Sequence, residues 1–325
     1  MTLRPENESL SVVVIGRNEG ARLTACLKSV KTMKDLQPLE IIYVDTNSKD
    51  DSVIRAEEEG VKVIQINPEH PTAAFARNIG WKAASGAYIL FLDGDNELMA
   101  DFVARAIREF ANPEIGIVCG QIEEKCPEAS IYQKAYHYDA IYPTGIVNAC
   151  GGSMIIRRSI LEAVGGYDCL LIAGEEPEMC QRIRDRGYQI LRLDCRMSLH
   201  DMDMRTFSQY WKRCFRTGYA YALVSYKTRN YKHRIWRWDV VHNFVLGGVL
   251  IVGSSVSLIS LAWTWVGVSV WILFLIGLIV RKTYQKGSVY YAIHSYFQHV
   301  PMLCGQLAYH VDCLKNHQRK LIEYK

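Results

Sequence analysis

A chain of 325 residues, 49% apolar and 22% charged, has the size and composition of one large α/β domain or two modest ones. Its ten cysteines show neither a C-x-x-C pair nor zinc-ligand spacing, which excludes a disulfide framework or zinc module and points to reduced thiols in a reducing compartment. The net charge of +4 is unevenly placed: residues 205–238 carry nine Lys or Arg and no acid, whereas 240–280 hold no Asp, Glu, Lys or Arg. A basic collar beside an apolar block fits anionic lipid headgroups rather than nucleic acid.

The first residues are polar and lack the apolar run of a signal peptide, so no targeting segment is expected before the fold. Runs rich in β-branched residues predict strands at 11–15, 40–44, 61–66 and 87–92, with helices near 20–31, 50–59 and 73–84 between them. Thr72 is placed to cap the third helix. This alternation predicts a parallel sheet with helices on both faces, whose ligands sit beyond the C-terminal ends of the strands. That rule singles out 16–19, 45–51 and 93–95. From about 120 to 205 the pattern loosens, leaving a helix at 175–186 and a strand at 188–193 as the clearest elements.

The uncharged block is about twice the ~20 residues that span a bilayer core. It reads as a helical hairpin, 243–261 and 265–280, turning near Trp263 and Trp265. Lys and Arg on both flanks place both ends in the cytoplasm. Beyond it Ile293, Phe297, Val300, Cys304, Leu307, Val311 and Leu314 share one helical stripe, and Pro301 is expected to kink or split that helix. Such a segment suits the membrane interface or packing on the catalytic domain.

Asp93-Gly94-Asp95 closes an apolar strand, and carboxylates two residues apart in extended backbone face one side. Paired oxygens suit a hard divalent cation. An EF-hand is excluded, because the required Gly and distal Glu are missing. Val44-Asp-Thr-Asn-Ser-Lys-Asp50 ends another strand, where Asp45 can accept from a nucleobase N–H or a ribose, or serve an ordinary loop.

Together these residues resemble glycosyltransferase family 2, the inverting enzymes of the GT-A fold. The matching motifs, in order, are Ser11-Val-Val-Val-Ile-Gly-Arg-Asn-Glu19, the Asp45 segment, Ala76-Arg-Asn-Ile-Gly80, and Phe91-Leu-Asp-Gly-Asp95. Then come Gly152-Ser-Met-Ile-Ile-Arg-Arg158, Gly165-Gly-Tyr-Asp168 and Gly174-Glu-Glu-Pro-Glu-Met-Cys-Gln-Arg-Ile-Arg184. The likeness implies that Gly16, Arg17 and Glu19 line the nucleotide, Asp45 holds the base and Arg77 faces the donor. Asp93 and Asp95 would bind Mg2+ or Mn2+, with His200 a candidate third ligand. The acidic pair is Glu175-Glu176, and Glu176 would be the general base. Two departures stand out: Glu replaces the usual Asp at 176, and Asn47 stands where the family prefers Gly, in a turn that Asn tolerates. Gln209-Tyr-Trp-Lys-Arg213 partly resembles the Q-x-x-R-W signature of processive synthases.

The reading is therefore an α/β GT-A domain (1–225), a basic collar (226–239), a transmembrane hairpin (240–282) and an amphipathic segment (283–325). The implied reaction moves a sugar from a nucleotide-sugar donor, first among them a UDP-sugar, to a hydroxyl of a lipid-linked glycan. It takes place at the cytoplasmic face of the inner or plasma membrane, with membrane lipids as partners and no nucleic acid. A polyprenyl-phosphate acceptor, or a non-catalytic membrane-bound scaffold of the same fold, are the alternatives.

Overall fold

The sequence runs just described form strands β1 (Leu10–Gly16), β2 (Glu40–Thr46), β3 (Lys62–Ile66) and β4 (Tyr88–Asp93) in the computed structural model. It describes residues 9–69, 71–139, 142–260 and 265–316. Helices α1 (Ala21–Lys31), α2 (Ser52–Glu58) and α3 (Ala73–Ala83) connect these strands, and all three strand pairings are parallel in the order β3-β2-β1-β4. Val12, Val13, Val14, Leu90, Phe91 and Leu92 are fully buried, as both faces of such a sheet require. Thr72 caps α3 as expected, its hydroxyl accepting from the Phe75 N–H at 3.1 Å.

After β4 come β5 (Asn96–Leu98), α4 (Phe102–Glu109) and β6 (Ile115–Glu124), and the looser stretch resolves into α5 (Ile131–Asp139), β7 (Gly145–Val147), β8 (Met154–Arg157), α6 (Arg158–Val164), α7 (Glu175–Asp185) and β9 (Gln189–His200). The sheet continues β4-β8-β6-β9-β5, with β7 on β9, and here it is mixed. β8 runs antiparallel to β4 and β6, whereas β6 and β9 are parallel with three register shifts. Strands of three or four residues and a bulged pair carry too little periodicity to be read from sequence. The strand expected at 188–193 extends to His200 because its second half pairs with β5 and β6 while Asp194 and Arg196 stay exposed.

The remaining helices are α8 (Phe207–Lys227), α9 (Arg237–Ser260), α10 (Trp265–Lys286), α11 (Val289–Phe297) and α12 (His299–Leu314). Two compact units divide the chain. The first comprises residues 1–125, 140–202 and 228–235, and the second 126–139, 203–227 and 236–325.

In the first unit the sheet and its helices carry one apolar core. The basic segment 228–235 lies on α7. Tyr231 Oη donates to Glu178 Oε1 at 2.9 Å, and the His233 N–H donates to Asp185 at 2.8 Å.

In the second unit α9 and α10 are long and apolar enough to cross a membrane. A core helix of that composition would be buried, yet Val252 is 60% exposed, Leu258 68% and Leu273 67%. The predicted tryptophan turn falls partly on 261–264, outside the described residues. The last segment is split in two as Pro301 implied, with Pro301 in the first turns of α12, where its missing N–H costs no helical bond. Its orientation is inverted relative to a soluble amphipathic helix. Ile293, Phe297, Leu307, Val311 and Leu314 of the apolar stripe are exposed, whereas His294, His299, Gln306 and Asp312 are buried. His299 Nδ1 lies 2.7 Å from Asn243 Oδ1 of α9, and His294 Nδ1 lies 2.8 Å from Tyr210 Oη of α8. Gly218 of α8 and Gly305 of α12 let the two backbones meet, since a Cβ at either would overlap the carbonyl oxygen of Met302 or Phe215.

Candidate active site

Three strand ends of the first unit converge on one site, as expected for an open α/β sheet. At the first, Gly16 ends β1 beside the Tyr43 ring, and the loop after it is laced to the loop after β2. The Asn18 N–H donates to Ser48 Oγ at 2.9 Å, and the N–H groups of Glu19 and Gly20 donate to Ser52 Oγ at 3.0 and 2.9 Å. Glu19 also pairs with Arg22 at 3.0 Å, and Arg17 is partly exposed in the same loop.

Asp45 ends β2 and is 2% exposed. Its Oδ1 accepts from Tyr43 Oη at 2.9 Å and from Ser48 Oγ at 2.5 Å, and its Oδ2 accepts from the Ser48 N–H at 2.9 Å. Asn47 takes the left-handed backbone (φ 56) anticipated for it.

Asp93 ends β4 and Asp95 lies two residues on, and the turn between them leans on β1 through Gly94, whose N–H donates to the Ile15 carbonyl at 2.8 Å. The two carboxylates engage different partners. Asp93 Oδ1 accepts from Arg77 Nη2 at 2.8 Å, whereas Asp95 Oδ2 lies 3.3 Å from His200 Nε2 at the end of β9. Among the described residues no three His, Cys, Asp or Glu side chains converge as a metal cluster.

Arg77 is the hub. It projects from α3, which Gly80 presses against Val13 of β1. Its Nη1 lies 2.9 Å from Glu175 Oε1 and 2.8 Å from Glu176 Oε1 at the start of α7, and its guanidinium sits 5.6 Å from the Tyr167 ring centroid. Burial opposes its charge, but the carboxylates of Glu176 and Asp93 outweigh that and hold its pKa well above the ordinary value. For Glu176, burial and then the neighbouring charge of Glu175 push the carboxyl up to about 7, against the pull of Arg77. Gly174, at φ 81, turns the chain into α7 just before this pair.

Several contributors escaped the sequence reading. Asn78, beside Arg77, donates to the Tyr167 carbonyl at 2.7 Å and accepts from the Tyr167 N–H at 2.9 Å, clamping the 165–167 loop. Gly152 backs the guanidinium so closely that a Cβ would overlap Arg77 Nη2 and stand 3.0 Å from Asp93 Oδ2. Tyr43 and Ser48 fix Asp45. Asn78, Gly152 and Ser48 lie inside the matching motifs and Tyr43 in the strand just before one, but the task of each is visible only in three dimensions. Gln209, by contrast, belongs to the second unit. Its Oε1 accepts from the N–H groups of Arg205 and Thr206, both at 2.9 Å, and so caps α8.

Residues 11–165 match the family described as Glycosyl transferase family 2. Glycosyltransferase AglE of Haloferax volcanii is 24% identical over 221 residues, covering 64% of this chain and 71% of that protein. The pre-mycofactocin glycosyltransferase of Mycobacterium tuberculosis is 25% identical over 237 residues, and its alignment covers 68% of this chain but only 48% of that longer protein. Among solved structures, a mannosyltransferase of Pyrobaculum calidifontis in complex with GDP-Man and Mn2+ superposes with a TM-score of 0.69 at 16% identity, covering 95% of this chain and 88% of that one.

Proposed function

Residues 11–165 form a glycosyltransferase family 2 domain of the GT-A type, the chain is a glycosyltransferase, and on that premise we propose that it transfers a sugar from a nucleotide-diphosphate donor to a hydroxyl of a membrane-linked glycan, with inversion. One observation carries the reading: Glu176 is pinned by Arg77 beside the Asp93 strand end, where burial and the neighbouring charge of Glu175 push its carboxyl up to about 7. A base of that strength fits removal of a proton from a sugar hydroxyl as the hydroxyl attacks the anomeric carbon. Arg77 aims Glu176 and sets its charge; Glu175, sharing the same nitrogen, raises its basicity. Asp45, tethered by Tyr43 and Ser48, receives the nucleobase, with Gly16, Arg17 and Glu19 alongside.

The donor set fits a divalent cation. Asp95 and His200 face each other at 3.3 Å, with Asp93 on the same turn, and Mg2+ or Mn2+ ordinarily takes few protein ligands and completes its shell with diphosphate oxygens and water. When bound, such an ion offsets the charge that develops on the departing nucleoside diphosphate. In the second unit the exposed apolar surfaces of α9, α10 and the α11–α12 stripe support a membrane setting and a lipid-linked acceptor. The chain then comprises a catalytic region (1–225), a lipid-facing collar (226–239), a membrane hairpin (240–282) and an interfacial segment (283–325), at the cytoplasmic face of the inner or plasma membrane.

The test is incubation of the detergent-solubilised protein with a panel of nucleotide sugars and membrane lipid extract. Nucleoside diphosphate release and the anomeric configuration of the product are measured. Release that depends on the extract, with an inverted product, is expected; a retained configuration overturns the mechanism.

A further inference from the structure

We propose that Cys150 and Cys180 form a modification site at which a peroxide closes a disulfide, and that this bond slows turnover by tying the loop behind Arg77 to the helix that carries Glu176. The effect on turnover rests on the reading of Arg77 and Glu176 given above; the site itself does not.

Three thiols and a thioether meet in the first unit. Cys150 Sγ lies 3.6 Å from Cys180 Sγ and 3.5 Å from Met154 Sδ, and Cys119 of β6 is hydrogen-bonded to Cys150 in turn. All three cysteines are buried, Cys150 the least deeply, and Gly151 after it is exposed, with open space where a Cβ would stand. Cys150 is thus the sulfur that a molecule as small as hydrogen peroxide meets first. Its loop is held against α7 and β9 from both sides. Gln181 Nε2, next to Cys180, donates to the Asn148 carbonyl at 2.9 Å, and Arg192 Nη2 donates to the Ala149 carbonyl at 3.2 Å.

The thiols differ in their hold on a proton. The hydrogen bond from Cys150, and then the Arg192 guanidinium, keep Cys119 below the ordinary thiol value against the cost of burial. Its bonds to Cys119 and Cys180, and burial, raise Cys150 well above that value. Cys119 is therefore placed to take the Cys150 proton. The Cys150 thiolate attacks the peroxide O–O bond; one oxygen stays on sulfur as a sulfenic acid, and the other leaves as hydroxide and takes that proton to become water. Cys180 sulfur then attacks Cys150 sulfur, the S–O bond breaks, and the hydroxide leaves with the Cys180 proton as a second water. Two thiols and one peroxide give one disulfide and two waters, the sulfurs supplying the two electrons that reduce the peroxide. In a reducing compartment the resting state is the dithiol, and such a bond is transient.

Closing 3.6 Å to the ~2.0 Å of an S–S bond asks for roughly 1.5 Å of travel. Cys180 is fixed in α7, one helical turn after Glu176, whereas residues 148–153 lack regular structure, so the loop moves. Gly152, two residues after Cys150, already packs on Arg77 with no room for a methyl. Displacement there is passed to the guanidinium that holds Asp93, Glu175 and Glu176.

The test treats the full-length protein in detergent with hydrogen peroxide, alkylates the remaining thiols and maps disulfides by peptide mass. Nucleoside diphosphate release is measured before treatment, after it, and after dithiothreitol. A Cys150–Cys180 bond is expected, with turnover lowered by about tenfold or more, the scale of an ångström misplacement of a positioning group, and restored by the reductant. Cys150→Ala and Cys180→Ala should keep basal turnover and lose the response, each guarding against misfolding in the other. Cys169→Ala, which removes the exposed thiol beside Asn78, should keep the response. No disulfide, a bond to Cys119 instead, or a response that survives in both folded alanine variants overturns the site. A mapped Cys150–Cys180 bond with unmoved turnover overturns its effect on Arg77 and Glu176. Mapping the bond in Glu176→Gln as well scores the thiol site apart from the assignment of the base, because it should close there whether or not that residue takes the acceptor's proton.

Discussion

Nη1 of Arg77 lies 2.8 Å from Oε1 of Glu176 and 2.9 Å from Oε1 of Glu175, so a single guanidinium nitrogen holds both members of the acidic pair. Sharing makes their roles separable. If Glu176 is the base, Glu176→Gln keeps the shape and loses the proton acceptor, and turnover should fall by ~10²–10⁴-fold while donor affinity hardly moves. Glu175→Gln should cost much less. Both are read by nucleoside diphosphate release with a hydroxyl acceptor. Near-wild-type turnover in both variants would move a phosphate acceptor, which attacks without a base, ahead of the hydroxyl.

The pH dependence follows from the direction of the Glu176 shift. A base works deprotonated, so turnover should rise with pH and level off above about 7, falling about tenfold for each unit below. Burial and the charge of Glu175 raise that carboxyl, so Glu175→Gln should move the limb to lower pH. The limb reports the coupled pair rather than one residue. A turnover profile for wild type and Glu175→Gln checks both the position of the limb and the sign of its displacement.

Gly152 and Gly151 offer a test of whether the Arg77–Asp93 contact matters for turnover. A methyl at 152 overlaps Arg77 Nη2, whereas one at 151 meets nothing within 4 Å. Gly152→Ala should therefore reduce turnover by about tenfold or more as the guanidinium is displaced from Asp93, with melting temperature little changed. Gly151→Ala should be neutral in both. Equal behaviour of the two would show that the packing behind Arg77 is irrelevant to turnover.

The α8–α12 crossing predicts stability rather than activity. At Gly218 or Gly305 the added methyl meets a backbone carbonyl, which has no rotamer to escape into, and overpacking of this kind costs typically 1–3 kcal/mol. Gly218→Ala and Gly305→Ala should each lower the melting temperature in detergent. Gly248→Ala, in open space on α9, should not.

Topology is checked by labelling engineered cysteines after replacement of the exposed Cys126, Cys169 and Cys313. Arg229→Cys and Lys286→Cys, either side of the two apolar helices, should react from the same face of sealed vesicles. Reaction from opposite faces would replace the hairpin with one spanning helix.

The parallel half of the sheet was legible because each of its strands is a run of β-branched and apolar residues with a turn signal after it. Asp45, Arg77, Asp93 and Glu176 were nameable because each lies in a motif or at a strand end. The antiparallel half was not legible: β7 and β8 are three and four residues long, and β6 and β9 slip register where they pair. Nor could sequence disclose that Arg77 reaches from α3 to a carboxylate 98 residues further on. The apolar stripe of α11 and α12 was identified correctly, but a helical period does not say which face is turned outward. That was decided by buried partners, Asn243 for His299 and Tyr210 for His294, supplied by other helices.

The two units interleave along the chain, and this bears on how the protein can be handled. A stop codon near residue 226 would not liberate a finished catalytic half. It would discard the 228–235 strap that α7 holds through Tyr231 and His233. It would also strip α8 of α12, leaving Gly218 and its neighbours as a bare seam on the fragment. Limited proteolysis should meet the same obstacle. A detergent-free version is better sought by exchanging outward Val, Leu and Ile on α9 and α10 for polar residues than by shortening the gene.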